Sequence, residues 1–238
     1  KGAVAAIADG VSSANHAAEA SQLAVTQFIN EYYATSDTWS TRKSAAKVLT
    51  SLNQWLYSQG GFIEQQQYQW LTTFSAIIFK STTGYIFHAG DTRIAKYREQ
   101  QLETLTRDHN RKQGAKSVVL TRALGADSRL EVDCSIVDLR QGDLFVLTCD
   151  GIHESLDNKA IKQLLAELPV NPSSKALEET SRRLVDNAII AGSQDNVSCL
   201  LVYINNVPSR ALEEVERDLM SQAIPPALDV GMKIDDYQ

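Results

Sequence analysis

Long apolar runs are missing from this 238-residue chain. Stretches such as residues 3–8 and 145–147 fall far short of the roughly 20 apolar residues that a membrane-spanning helix requires, so the sequence predicts a soluble domain without membrane contact. Cysteine is scarce: Cys134, Cys149 and Cys199 stand singly in strand-like runs without a C-x-x-C pair. A disulfide framework or zinc site therefore has little support, and the three are expected to be buried thiols of a cytoplasmic protein. No run rich in Lys and Arg occurs, and the formal net charge is −6, which argues against a general nucleic-acid binder with its basic stripe. A Gly-rich loop of the G-x-x-x-x-G-K type is also absent, which disfavours nucleotide hydrolysis. The chain opens at Lys1 rather than Met and enters an apolar strand pattern at once, without the regions of a signal peptide. Further sequence is expected upstream.

What is present suits one large globular domain, with 43% hydrophobic and 22% charged residues. Residues 3–9 read as a buried strand ending in the turn Asp9-Gly10, with Ser12 or Ser13 positioned to cap a helix over 14–33. Ala17, Ala24 and Phe28 share a face of that helix, and a second helix is expected over 41–57. β-rich runs then cover 73–80, 84–88, 93–97 and 102–106 and suggest an antiparallel meander. Strands over 132–137, 143–149 and 197–204 alternate with helices over 159–167 and 175–190. This order suggests an α+β fold with helices outside a sandwich of sheets. From Asn205 a charged helical stretch over 210–220, a Pro-Pro break and the segment GMKIDDYQ read as a linker.

Four aspartates recur in one context: Asp9 after AAIA, Asp91 after IFHAG, Asp150 after LFVLTC, and Asp195 in GSQDN before VSCLLVYI. Each stands beside an apolar strand. Asp-Gly is a common turn dipeptide, and any one of them alone reads as a turn former. Gathered at the edge of a buried sheet, carboxylates repel one another and lose hydration, at about several kcal/mol each unless cations or donors compensate. Hard divalent ions such as Mg²⁺ or Mn²⁺, which prefer oxygen ligands, are the natural compensation.

The segments AIADGVSS, HAGDTRI, LTRDH, LTRALG, LTCDGI and GSQDNVS, in this order, resemble the motif series of the PPM (type 2C) protein phosphatases. No single motif is specific; their ordered combination over residues 1–204 is. The resemblance implies an αββα sandwich of two mainly antiparallel sheets flanked by helices, with a binuclear Mn²⁺ or Mg²⁺ centre between the sheets. It also implies hydrolysis of phosphoserine and phosphothreonine in phosphoprotein substrates by a metal-bridging hydroxide. Carried over by position, Asp9 bridges both metals, Asp150 and Asp195 complete the first, the Gly10 carbonyl helps hold the second, and Asp91 matches the aspartate of a third.

Departures from the family pattern generate further expectations. The family's first motif, with an acidic ligand and a phosphate-binding arginine, has no counterpart and should lie before Lys1. No general acid can be named, because Val11-Ser12-Ser13 follows Asp9-Gly10 where eukaryotic relatives often place a histidine. His16, His88, His109 and His153 read as structural, and Arg93 and Arg122 as partners in structural ion pairs. A short basic stretch, residues 110–119, stands where many members carry a larger flap, so substrate selection is expected to differ; Arg111, Lys112 and Lys116 read as a solvated loop. GMKIDDYQ is similar to the lead-in of bacterial serine/threonine kinase domains, which implies a fused or cognate kinase as partner, with an ordinary linker over 205–238 as the alternative. Cys134 and Arg140 match the spacing of a cysteine-dependent phosphatase, but the β-branched, glycine-free interior does not suit a phosphate cradle. The rival from another class is a pseudophosphatase that binds phosphoproteins without hydrolysing them, against which Asp9, Asp150 and Asp195 argue.

Overall fold

The computed structural model describes residues 1–59, 69–113, 117–210, 212, 214 and 215. In chain order its elements are β1 (Ala3–Ile7), α1 (Ala17–Ala34), α2 (Thr41–Gln59), β2 (Phe74–Lys80), β3 (Thr83–Ala89), β4 (Arg93–Arg98) and β5 (Gln101–Thr104). They continue with β6 (Asn110–Gln113), β7 (Ser117–Leu120), β8 (Asp133–Asp138), β9 (Leu144–Thr148), α3 (Asp150–His153), α4 (Asn158–Ala166), α5 (Ser174–Ile190) and β10 (Cys199–Tyr203). One sheet has the order β1-β2-β3-β8, a second β10-β9-β4-β5, and β6 pairs with β7 in a separate ribbon. Every pairing is antiparallel.

Strand alternation sorts the apolar residues into three layers of core, because successive side chains point to opposite faces of a sheet. Along β2, Phe74, Ala76 and Ile78 pack with Ala20, Ala24, Phe28 and Leu49 of α1 and α2. The intervening Ile77 and Phe79 join Ala5, Ile7, Phe145 and Leu147 between the two sheets. Along β9 the same split sends Leu144 and Val146 to Leu165 and Leu184 of α4 and α5. Helix, sheet, sheet and helix therefore stack as αββα. Each fully buried Ile, Leu or Phe of these layers contributes about 1.5–3 kcal/mol.

Local signals hold for the later helices: Asp157 accepts from the Ala160 amide at 2.7 Å and Ser173 from the Ala176 amide at 3.2 Å, each as an N-cap. Elsewhere tertiary contacts override them. Helix α1 starts at Ala17 with His16 at the cap and no side-chain cap bond, so neither Ser12 nor Ser13 serves. Its buried row is Ala20, Ala24, Phe28 and Tyr32, with Ala17 only partly covered. The expected meander is split, since β2 and β3 lie in the first sheet and β4 and β5 in the second. Gly90, at φ +117°, makes the turn between them. The basic stretch is a ribbon rather than a loop; Arg111 is exposed there, and Lys116 lies outside the described residues. Of the three cysteines only Cys149 is buried; Cys134 is exposed because β8 is an edge strand among the described residues.

Packing continues past residue 204. The buried Glu214 carboxylate accepts from the amide and hydroxyl of Thr82, each at 3.0 Å, and Ser81 Oγ donates to the Ser209 carbonyl at 2.8 Å. Most of the expected helix over 210–220, and all of GMKIDDYQ, lie outside the described residues. No helix of the described residues is long and apolar enough to cross a membrane.

Two polar features inside this frame have measurable consequences. Asp143, 1% exposed, takes a two-pronged bond from Arg98 at 2.5 and 2.6 Å and a third from the Arg140 amide at 2.8 Å. Arg98→Met strands that carboxylate in the interior and should lower unfolding free energy by about 3–5 kcal/mol in a denaturant titration. His88, also buried, accepts from Ser75 Oγ at Nδ1 (2.8 Å) and donates from Nε2 to the Arg107 carbonyl (3.0 Å). Burial first, then the neighbouring His109, push its pKa down from 6.5 to about 4. The unfolded chain therefore binds a proton that the folded one refuses, so this contribution to stability is complete above pH 6.5 and disappears as pH falls towards 4. In metal-free protein the stability difference between wild type and His88→Gln should shrink by up to about 3 kcal/mol over that interval.

Candidate metal centre

Register brings the four aspartates together. Ile7 pairs with Ser75 and Phe74 with Ala89, so the end of β1 and the end of β3 lie at the same pole of the first sheet. Thr148 pairs with both Arg93 and Cys199, so the end of β9 and the starts of β4 and β10 meet at one pole of the second. Asp9, Asp91, Asp150 and Asp195, each within a few residues of these ends, line a single cleft of about 820 Å³ together with Gly10.

Backbone contacts hold the turns in place. The Asp9 amide donates to Thr73 Oγ1 at 2.9 Å, while the Asp9 carbonyl accepts from the Thr73 amide at 2.8 Å and from Thr72 Oγ1 at 2.9 Å. A Cβ on Gly10 would collide with the Ala17 carbonyl, so only glycine lets this turn lie against the start of α1. The Asp91 turn is fixed from the other side, by His109: its amide donates to the Gly90 carbonyl at 2.7 Å and its Nδ1 accepts from the Gly90 amide at 3.1 Å. Asp150 and Asp195 are joined through Cys149, whose thiol lies 3.1 Å from both the Asn196 carbonyl and the Ser198 amide.

The carboxyl groups crowd one another. Asp9 has its pKa pushed up to about 7, by burial first and then by Asp150, Asp195 and Asp91. Burial, Asp150 and Asp108 push Asp91 up to about 6. Ligand atoms of Asp9, Cys149 and Asp150 all lie within 4.8 Å of one another. The cluster thus concentrates carboxylate oxygens, half-buried at Asp9, Asp91 and Asp150, while Arg122 on the cleft wall is already paired with Glu131 and Asp133; oxygens of this kind are the donor set that hard divalent ions prefer. The Cys149 thiol, raised to about 11 mainly by burial and committed to backbone partners, is not a thiolate ligand.

The remaining polar residues divide between cleft and frame. Arg93 lies outside the cleft lining and grips Asp108 in a two-pronged bond at 2.9 and 2.6 Å. Arg122 does line the cleft, but its guanidinium is paired with Glu131 at 3.2 Å and Asp133 at 2.7 Å. No histidine is among the lining residues described. His16 stacks on Trp70, His88 and His109 sit in the bonds given above, and His153 Nδ1 lies 3.2 Å from Thr148 Oγ1. Sequence reasoning missed Glu154 and Thr73, which line the cleft, and Thr72, which braces it. Glu154 falls one helical turn after Asp150, a spacing that could have pointed to it. Its carboxyl is raised by burial first and then by Asp150 and Asp195.

Comparison with known proteins agrees with this geometry. The family model for protein phosphatase 2C matches residues 1–188. A protein described as a putative protein phosphatase 2C-type from Streptococcus pyogenes is 25% identical over 215 residues, covering 83% of this chain and 84% of that protein. The serine/threonine phosphatase stp of Listeria welshimeri is 27% identical over 149 residues, 56% of this chain and 57% of the relative. Among solved structures, the serine/threonine phosphatase of S. agalactiae superposes with a TM-score of 0.72 at 24% identity, over 84% of this chain and 87% of that one. The catalytic domain of the phosphatase PstP, solved with two manganese ions, gives 0.68 at 21%, over 83% and 86%. The chain belongs to the protein phosphatase 2C family, and with its cleft of carboxylates it is a metal-dependent protein serine/threonine phosphatase domain.

Proposed function

We propose that Asp9, Asp150 and Asp195, with the Gly10 carbonyl, hold two divalent cations, Mn²⁺ or Mg²⁺, and that Asp91 serves a third. The observation that carries this reading is the convergence of four carboxylates from two sheets in one cleft, two of them with pKa values raised towards neutrality by burial and mutual repulsion. When bound, the cations neutralise phosphoryl charge and lower the pKa of water. The protein's own residues then have distinct tasks. Asp9, just past the end of β1, has its backbone held by Thr72 and Thr73. Ser12, Ser13 and Thr121 line the cleft as neutral hydroxyls suited to phosphoryl oxygens. Arg122, held by two carboxylates, is a wall of the cleft rather than a free clamp.

The substrates are phosphoserine and phosphothreonine in proteins. The domain spans residues 1–204 in this reading, and 205–238 connects it to a fused kinase or serves as a plain linker; a cognate kinase is then among the substrates, and the site of action is the cytoplasm. Incubating the full-length protein with and without Asp150→Asn, and mapping its phosphorylated residues, tests the kinase connection: untouched phosphorylation in both would remove it.

Asp150→Asn should reduce metal-dependent turnover of a phosphothreonine peptide at least about a hundredfold, the loss of about 3 kcal/mol of charge stabilisation. The same substitution relieves repulsion in the empty cluster. Its metal-free Tm should rise by about 2–4 °C while the Tm gain on adding Mn²⁺ collapses. Equal Mn²⁺-induced gains in wild type and variant would remove Asp150 from the ligand set. Thr73→Val deletes the acceptor for the Asp9 amide but keeps the side-chain shape, and should weaken Mn²⁺ binding by about 10- to 100-fold in calorimetry, with Thr73→Ser restoring it.

A further inference from the structure

A chain of ring contacts links residues beside the wall of the catalytic cleft to a second depression, between α1 and α2. Ser12 and Ser13 form one part of the cleft wall and Leu71 another. Three residues beyond Ser13, His16 donates its amide to the Gln69 carbonyl at 2.9 Å, and its ring stacks on Trp70 at 4.7 Å with the planes 21° apart. Trp70 in turn meets Trp55 of α2 edge to face at 5.4 Å. The outer members of this ladder are open, with 42% exposure at Trp55 and at the His16 side chain.

Trp55 is also the near end of a groove of about 740 Å³ between α1 and α2. Leu23 and Ala34 line it from α1, Val48 and Leu52 from α2, and Trp39 closes the far end. Its two charged residues, Glu31 and Lys47, are of opposite sign. A wall of this kind selects neither an acidic nor a basic tract and rewards an apolar side chain. From Leu23 to Ala34 the helical rise gives a length of about 16 Å, enough for about five residues of extended chain.

We propose that the groove between α1 and α2, reached over the His16–Trp70–Trp55 ladder, is a docking site for an extended segment of the phosphoprotein substrate that carries an apolar anchor residue at a distance from the phosphorylated one. This rests on the phosphatase reading above and adds a substrate class to it. That occupant is favoured by the ring contacts that lead from beside Leu71 through Trp70 to Trp55, by a charge-balanced lining in which apolar side chains stand among uncharged polar ones such as Gln27 and Ser51, and by a length that fits a short extended strand. Binding energy gained at the groove is remote from the reacting phosphorus and acts by holding substrate at the cleft.

The test compares a short phosphothreonine peptide with longer ones in which a Leu or Phe is scanned through positions five to twelve residues to either side, counts chosen at about 3.3 Å per residue to span rim and groove. At one spacing the wild type should show a KM about tenfold lower than for the short peptide, the effect of burying one Leu-sized side chain, with kcat similar. Ser51→Arg and Gln27→Arg, both exposed groove positions, should bring the KM ratio towards one, with Tm reporting that each variant folds. Anisotropy of a labelled, unphosphorylated long peptide measures docking apart from chemistry. Turnover of the short peptide without any spacing preference, or a preference that survives both substitutions, overturns the docking site and leaves the phosphatase reading standing. Docking that both substitutions abolish, without metal-dependent turnover of any peptide, sinks the phosphatase reading and keeps the groove. Wild type that sediments as a dimer and becomes monomeric with Ser51→Arg assigns the groove to a second copy and overturns the proposal.

Discussion

Carboxylates pressed together at the ends of buried strands set the terms for the rest of this molecule. Asp9, Asp91, Asp150 and Asp195 share one cleft, and burial together with mutual repulsion raises Asp9 to about 7 and Asp91 to about 6. Such an arrangement opposes folding unless the surrounding structure enforces it and a cation relieves it. The enforcement is visible in the hydrogen bonds that Asp9 exchanges with Thr72 and Thr73, in the clasp of His109 on Gly90, and in the Cys149 thiol tying the Asp150 turn to Asn196. Function and stability therefore oppose one another at the same four side chains.

The layered core explains how that strain is carried. Each sheet packs helices on its outer side and the other sheet on its inner side, and β3 and β9, which lead into Asp91 and Asp150, are among the most buried of the described strands, while β5 and β8 at the edges stay largely exposed. Interiors packed at this density shift little under local load. Glycine is needed where turns must approach another backbone: a side chain at Gly10 would strike Ala17, and one at Gly151 would strike Asn196. These contacts bring a helix start and the Asp195 loop against the cluster, which the strands alone would not do.

Chemistry and recognition are distributed over different parts of the fold. The pole of strand ends carries the carboxylates, while the outer helices of the first sheet carry exposed aromatic surface that begins at the cleft rim. The turn between β2 and β3 lies at the pole away from the cluster, and there Glu214 pins the chain to Thr82.

The two-periodic strands, the later helices with their Asp157 and Ser173 caps, and the placement of four aspartates beside apolar runs are legible in the residue order, because they are written in neighbouring residues. The order of motifs added the family and with it the metal chemistry. Which sheet each strand joins depends on the closed fold. β3 and β4 are adjacent in the chain and part at Gly90, while β3 pairs with β8 and β4 with β9, choices made by contacts across tens of residues. The same long-range pairing exposed Cys134 at an edge, moved the start of α1 past Ser12 and Ser13, and turned the basic stretch into a ribbon. It also brought Thr72 and Thr73 to Asp9 and His16 to Trp70, pairings that no local pattern announces, whereas Glu154 follows Asp150 by one helical turn. A single residue's periodicity fixes which face it shows; only the closing of the two sheets fixes what that face meets.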